Sequence, residues 1–126
     1  MTDKELLTLS GKAREKAYAP YSDFKVGAAL LCADGAVFTG CNIENGSYGA
    51  TVCAERTAIF KAVSEGYDGF SAIAVTSSGG GLTYPCGICL QVLSEFAPDI
   101  TVILREDGKE PVSHSLNELL PYSFKL

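Results

Sequence analysis

The sequence predicts an α/β fold, a three-layer α/β/α sandwich around a mixed sheet of about five strands. A continuous apolar run of strand length stands at 26–32, and largely apolar strand segments stand at 72–76 and 100–104, the kind that buries on both faces. Segments with apolar residues at helical intervals separate or precede them. Asp34-Gly35 is a hairpin turn signal, so at least one pair of strands is antiparallel and the sheet is mixed.

The elements follow in order. Thr2-Asp3-Lys4-Glu5 has capping-box spacing, and Leu6, Leu9, Ala13 and Ala17 recur at helical intervals. A first helix over 3–17 results, stopping before Pro20. Strands over 26–32 and 36–41 form the hairpin. The stretch 42–51 is polar and carries glycine, so it is loop. Ala54, Ala58, Phe60, Ala62 and Val63 predict a helix over 53–65, ended by Gly66. A buried strand over 72–76 breaks at Gly79-Gly80-Gly81. Pro85 opens another core helix reaching Phe96, since proline is tolerated in a first turn. A strand over 100–104, a turn at Asp107-Gly108, a weak strand near Val112 and a short helix over 115–120 complete the chain.

The 126 residues fit a single domain spanning 1–126, and a chain of this length buries about two thirds of its surface on folding. Hydrophobic residues at 47% and charged residues at 20% exclude disorder as the main state. The net charge of −5 repels polyanions, which argues against a nucleic-acid partner. No apolar run is long enough to span a membrane, and Met1-Thr2-Asp3-Lys4-Glu5 is too charged to open a secretory signal. The expected location is the cytoplasm.

The cysteines carry the chemistry. There are five, an odd count that argues against a disulfide framework in a reducing compartment. Cys86 and Cys89 are three apart at a helix start, so their sulfurs share one face and are able to bind one ion. Cys53 starts the other core helix, where the thiolate is favoured, and the thiolate is the form that binds zinc. Three protein ligands with one open position is the catalytic pattern, the fourth place holding water. Glu55, two residues beyond Cys53, is close enough to exchange protons with that water.

Other readings fit parts of this pattern. A redox CxxC pair leaves Cys53 and Glu55 unexplained. A structural zinc site needs a fourth ligand from His114, Cys32 or Cys41. His114 lies in a polar stretch and reads as a solvated surface histidine; Cys32 and Cys41 lie in strands, where free cysteine acts as a small hydrophobe. A non-catalytic zinc-stabilised interaction module keeps the cysteines but has no use for Glu55. Arg56 is either a solvated helix charge or a guanidinium that hydrogen-bonds the thiolates and offsets their excess negative charge.

Zinc deaminases carry a ligand-x-Glu motif followed by Pro-Cys-x-x-Cys, the Glu not being a ligand. Cys53-Ala54-Glu55 and Pro85-Cys86-Gly87-Ile88-Cys89 fit that signature, with Cys in place of His in the first motif. The segment Tyr18-Ala19-Pro20-Tyr21-Ser22-Asp23-Phe24-Lys25-Val26-Gly27-Ala28-Ala29-Leu30 resembles the N-terminal segment of the cytidine deaminase family. Asn42-Ile43-Glu44-Asn45-Gly46-Ser47-Tyr48 resembles its ribose-binding segment. The resemblance runs from about residue 3 to Phe124.

It implies one Zn²⁺ per chain on Cys53, Cys86 and Cys89, with Glu55 as proton shuttle. It implies that Asn42 and Glu44 hold the ribose 3′-hydroxyl, that Phe24 packs on the pyrimidine and that the backbone around Ala54 reads the cytosine edge. It implies a homotetramer with active sites at subunit contacts, Phe124 reaching a neighbour's site to stack on the base. The implied reaction is hydrolytic deamination of cytidine and deoxycytidine, a pyrimidine salvage step. The alternative is another cytosine-bearing small molecule such as blasticidin S; a polynucleotide substrate is disfavoured by the acidic chain. The family often has Arg after the last zinc cysteine. Here Leu90 stands there, which leaves Arg56 as the remaining cation.

Overall fold

The computed structural model describes residues 1–126. The chain runs α1 (Asp3–Arg14), β1 (Val26–Cys32), β2 (Val37–Cys41), α2 (Ala54–Ser64), β3 (Phe70–Ser77), α3 (Gly87–Phe96), β4 (Thr101–Leu104), β5 (Val112–Ser115) and α4 (Leu116–Leu119). A single 3₁₀ turn, Tyr48–Ala50, lies in the loop before α2. The five strands form one sheet in the order β2-β1-β3-β4-β5. Only β3 and β4 pair in parallel; the other neighbours are antiparallel. The expected mixed sheet is present.

Side-chain alternation divides the strands between two cores. Ala28 and Leu30, Ile73 and Val75, and Val102 and Leu104 face α2 and α3 and join Ala54, Ala58, Ile59 and Leu93. Ala29, Ala72, Ala74 and Ile103 face the opposite way and meet Leu6 and Leu7 of α1. Burial on both faces explains why these strands are apolar runs without alternation. No helix is long and apolar enough to cross a membrane.

Two predicted helix boundaries shift. The first helix ends at Arg14, not 17, because the next turn tightens to three-residue spacing (Lys16 N–H to Ala13 C=O, Ala17 N–H to Arg14 C=O). The Tyr18 N–H then leaves the helical ladder for the Asn42 carbonyl, at 3.0 Å. The second shift is at α3, which begins at Gly87. Cys86 is its N-cap residue and Pro85 precedes that cap.

The topology fixes where chemistry sits. β2 and β3 both run antiparallel to β1, so they run parallel to each other. Helix α2 follows the C-terminal end of β2, and α3 follows that of β3. Both N-termini therefore emerge at the same end of the sheet, where open α/β sheets bind ligands.

Candidate active site

Close packing sets the first turn of α2. A Cβ on Gly40 would lie 2.5 Å from the Ala54 carbonyl oxygen and 2.6 Å from the Ala58 nitrogen, so only glycine lets β2 approach the helix this closely. The Thr57 hydroxyl ties the same turn down, donating to the Cys41 carbonyl at 3.0 Å. Cys53 is thereby fixed as the N-cap residue of α2, as Cys86 is of α3.

These two helix starts bring the sulfurs together. The Sγ atoms of Cys53, Cys86 and Cys89 all lie within 4.8 Å of one another, and Cys53 and Cys86 are 3.7 Å apart. A tetrahedron with Zn–S bonds of about 2.3 Å has edges of roughly 3.8 Å, so the donor set suits zinc in both chemistry and spacing. Neither Cys32, Cys41 nor His114 joins the group. That removes the closed four-ligand reading and leaves three donors.

The proton affinities at this end are displaced from their ordinary values. Cys53 is lowered to about 5: the hydrogen bond from Cys89 acts most, burial opposes it, and Arg56 and Cys86 add to it. Cys89 is pushed up by its donation to Cys53 and by burial. Arg56 donates from a terminal nitrogen to Cys53 Sγ at 3.3 Å. Burial works against its charge, but the hydrogen bonds to Cys53 and Cys89 outweigh burial and raise its pKa. Of the two readings of Arg56, the thiolate partner is the one the geometry supports. Leu90 lies instead in the apolar core.

Glu55 is 4% exposed. Burial pushes its pKa up to about 7, assisted by the Cys53 charge and opposed by its backbone hydrogen bond and by Arg56. A carboxyl balanced near neutrality releases and recovers a proton with comparable ease.

A pocket of about 300 Å³ opens onto this group. Cys53, Ala54, Glu55 and Cys86 line one end, and Asn42 and Glu44 the other. Phe24 forms part of the wall, 42% exposed. Its ring lies where a Cβ on Gly79 would come within 2.9 Å, so the glycine break leaves the room that the ring occupies.

Asn42 and Glu44 are preset by hydrogen bonds whose partners lie far away in sequence. Asn42 Oδ1 accepts from the Val26 N–H at 2.8 Å, and Nδ2 donates to the Phe24 carbonyl at 2.8 Å. One Nδ2 hydrogen remains free. Glu44 Oε1 accepts from the N–H groups of Tyr21 and Ser22 at 2.9 and 3.2 Å, and Oε2 accepts from the Ser22 hydroxyl. These bonds, the Ser22 hydroxyl first, hold its pKa below the ordinary carboxylate value. The pair thus presents one spare donor beside a permanent acceptor, the complement of a hydroxyl group.

Two expected features sit elsewhere. Phe124 is 64% exposed, does not line this pocket, and is held against α3 by Gln91, whose side chain donates to the Phe124 carbonyl at 2.9 Å and accepts from its N–H at 3.4 Å. His114 is not simply solvated: its side chain is 22% exposed, packs on Tyr84 and meets Glu118. Tyr84 and Ser22 also belong to the pocket, although no sequence motif assigns either a role. For Tyr84, its place just ahead of Pro85-Cys86 was the available signal.

The sequence matches the family model of the cytidine and deoxycytidylate deaminase zinc-binding region over residues 1–105. The chain belongs to this family of zinc deaminases. It is 47% identical to a cytidine deaminase of Sporosarcina psychrophila, the match covering 98% of this chain and 92% of that one. With a cytidine deaminase of Halalkalibacterium halodurans the identity is 49%, over 97% and 94%. The crystal structure of cytidine deaminase from Burkholderia pseudomallei superposes with a TM-score of 0.93 at 50% identity, covering 98% of this chain and 100% of that one. The sheet and its helix layers are thus shared with a cytidine deaminase structure, and the three-cysteine group gives this member of a zinc-binding family a donor set for the metal.

Proposed function

We propose that this protein deaminates cytidine and deoxycytidine hydrolytically, giving uridine or deoxyuridine and ammonia. One observation carries the proposal. A single small pocket joins a three-cysteine group and a buried carboxyl at one end to a hydroxyl-complementary pair at the other.

Cys53, Cys86 and Cys89 would hold Zn²⁺, which supplies a Lewis acid able to make water nucleophilic at neutral pH. The residues do the rest. Glu55 takes one proton of the attacking water and gives it to N3 of the pyrimidine so that C4 accepts the attack; it then takes the remaining proton of the hydroxyl added at C4 and passes it to the amino group, which leaves as ammonia as the C4 carbonyl forms. Its burial and a pKa of about 7 suit a group that must both accept and donate. Arg56 holds Cys53 as thiolate. Asn42 donates to the 3′-hydroxyl oxygen while Glu44 accepts its hydrogen. Phe24 packs on the base, and the first turn of α2 at Ala54 lies against the cytosine edge.

The tetramer belongs to the same proposal. Phe124, Tyr122, Tyr48 and Ile88 are large exposed apolar residues on a chain with an open pocket, which supports burial of these faces between copies. Phe124 would then serve a neighbouring site, from the position in which Gln91 holds it. Five unpaired cysteines support a reducing, cytoplasmic setting.

The test is the initial rate of ultraviolet absorbance loss on equal concentrations of cytidine, deoxycytidine, cytosine, 3′-CMP and a cytosine-bearing oligodeoxynucleotide. Both nucleosides are turned over; the other three are poor. Comparable rates on cytidine and the oligonucleotide would overturn the free-nucleoside reading. Comparable rates on cytidine and cytosine would show that Asn42 and Glu44 hold nothing.

A further inference from the structure

Glu118, His114 and Tyr84 form a hydrogen-bonded chain that runs from α4 to the pocket wall and that the mechanism leaves unused. Tyr84 is 49% exposed and lines the pocket together with Phe24, Glu55 and Cys86. Its hydroxyl lies 3.4 Å from His114 Nε2, and the two rings are tilted by 51° with centroids 5.6 Å apart. On the other side of the imidazole, Nδ1 lies 3.2 Å from Glu118 Oε2. Glu118 is itself anchored by the capping box of α4. Its Oε1 accepts from the Ser115 N–H at 3.1 Å, and the Ser115 hydroxyl accepts from the Glu118 N–H at 3.2 Å.

The chain has a direction. The Ser115 N–H, and His114 after it, hold the Glu118 carboxyl below its ordinary value, so it is ionised at neutral pH. A carboxylate only accepts, so Nδ1 carries the ring hydrogen. With Nδ1 protonated toward Glu118 and the ring neutral, Nε2 is the acceptor and the Tyr84 O–H, 3.4 Å away, is the donor. The phenolic oxygen has committed its only hydrogen. What it offers the pocket is an acceptor.

We propose that Tyr84 is a specificity-determining residue whose oxygen accepts a hydrogen bond from a sugar hydroxyl of the nucleoside. His114 and Glu118 are the positioning residues that fix its polarity. This rests on the nucleoside reading of the pocket. Asn42 and Glu44 complement one hydroxyl and leave two others on a riboside, at 2′ and 5′. Either has the hydrogen that Tyr84 lacks. A phosphate in the same place would be a second acceptor facing the first.

The experiment is steady-state kinetics of the zinc-loaded enzyme and its Tyr84→Phe variant on cytidine, 2′-deoxycytidine and 5′-deoxycytidine. Phenylalanine keeps the ring and its contact with His114 and removes only the oxygen. The KM for cytidine rises about five- to tenfold, the worth of one hydrogen bond, while kcat moves much less. The analogue that lacks the bonded hydroxyl shows equal KM on parent and variant, which also identifies the hydroxyl. His114→Phe retains an aromatic neighbour but lets the Tyr84 hydroxyl turn. It raises the cytidine KM in the same direction, and combining it with Tyr84→Phe adds nothing further.

An unchanged cytidine KM in Tyr84→Phe overturns the proposal. So does a KM rise that persists equally on both deoxy analogues. Additive effects of the two substitutions overturn the positioning role of His114. A parent enzyme inert on cytidine brings down the nucleoside reading itself; an active parent with an indifferent Tyr84→Phe brings down this inference alone.

Discussion

At one end of the pocket, Cys53, Cys89 and Glu55 are clustered on helix N-termini and their proton affinities are displaced by burial and by one another. At the other, Asn42 and Glu44 sit on an extended segment nearer solvent, and main-chain groups occupy most of their hydrogen-bonding capacity. The first end buries its reactive groups against one another, which favours the thiolate at Cys53 and the thiol at Cys89 and leaves Glu55 near neutrality, poised to change protonation state. The second end holds its groups in one state and one orientation. Chemistry needs the former and recognition the latter, so disturbing the two ends should give different kinds of defect.

The largest effect is expected from the donor set. Cys86→Ala leaves two sulfurs and removes metal and activity together, where the parent binds about one zinc per chain. Cys32→Ser and Cys41→Ser serve as controls, because neither residue belongs to the group. They keep the metal, although Cys32 is fully buried and its replacement costs stability. Elemental analysis beside an ammonia-release assay reads both. Full zinc occupancy and turnover in Cys86→Ala would mean that the ligand set is misassigned.

Glu55→Gln comes next and separates two roles of one residue. Turnover falls by about 10²–10⁴-fold or more, since one placed proton donor is worth that much and here it serves several transfers. Stability of the metal-free protein moves the other way. The folded-state pKa of Glu55 is raised to about 7, so the native fold prefers its protonated form. Stability is therefore greatest below the unfolded value and declines as pH rises from about 4.5 through about 7. The shift corresponds to an order of 3 kcal/mol at higher pH, which glutamine does not suffer. Denaturant unfolding of the metal-free pair at pH 5 and pH 8 checks the sign: the variant's advantage must grow with pH. Equal differences at both pH values would show that Glu55 is not strained by ionisation.

The contrast between the ends also explains what was legible in the sequence. Cys53, Glu55, Cys86 and Cys89 lie in two short motifs at helix starts: spacing relates the residues within each motif, and the zinc-deaminase signature joins the two. The apolar runs likewise gave the strands, because strands buried on both faces leave an unbroken trace. The donors that fix Glu44 are 22 and 23 residues from it, and Tyr84 is 30 from His114. Those contacts depend on loop paths that no local pattern encodes. The end of α1 escapes the local pattern for the same reason, since Tyr18 is drawn off by Asn42 far along the chain. A role for Phe124 in catalysis depends on a second copy and has no trace within one fold.

The smallest effect, and the sharpest test of the comparison, is expected from Glu44→Gln. The parent carboxylate accepts from Tyr21, from Ser22 and from the Ser22 hydroxyl, and it keeps lone pairs for a substrate hydroxyl. Glutamine replaces one of those oxygens by an amide that only donates. Whichever way it turns, an N–H of the 21–22 turn or the hydroxyl meets another donor, or the pocket loses its acceptor. The site loosens, but nothing at Glu55 changes. KM for cytidine then rises by about tenfold, the scale of one hydrogen bond, and kcat is nearly kept. The like-charge repulsion that a 3′-phosphate meets in the parent is also relieved. The ratio of rates on 3′-CMP and cytidine should therefore rise in the variant, and rise most at low ionic strength, where exposed charges are least screened. A variant that loses kcat rather than KM would place Glu44 in the chemistry and erase the division between the two ends.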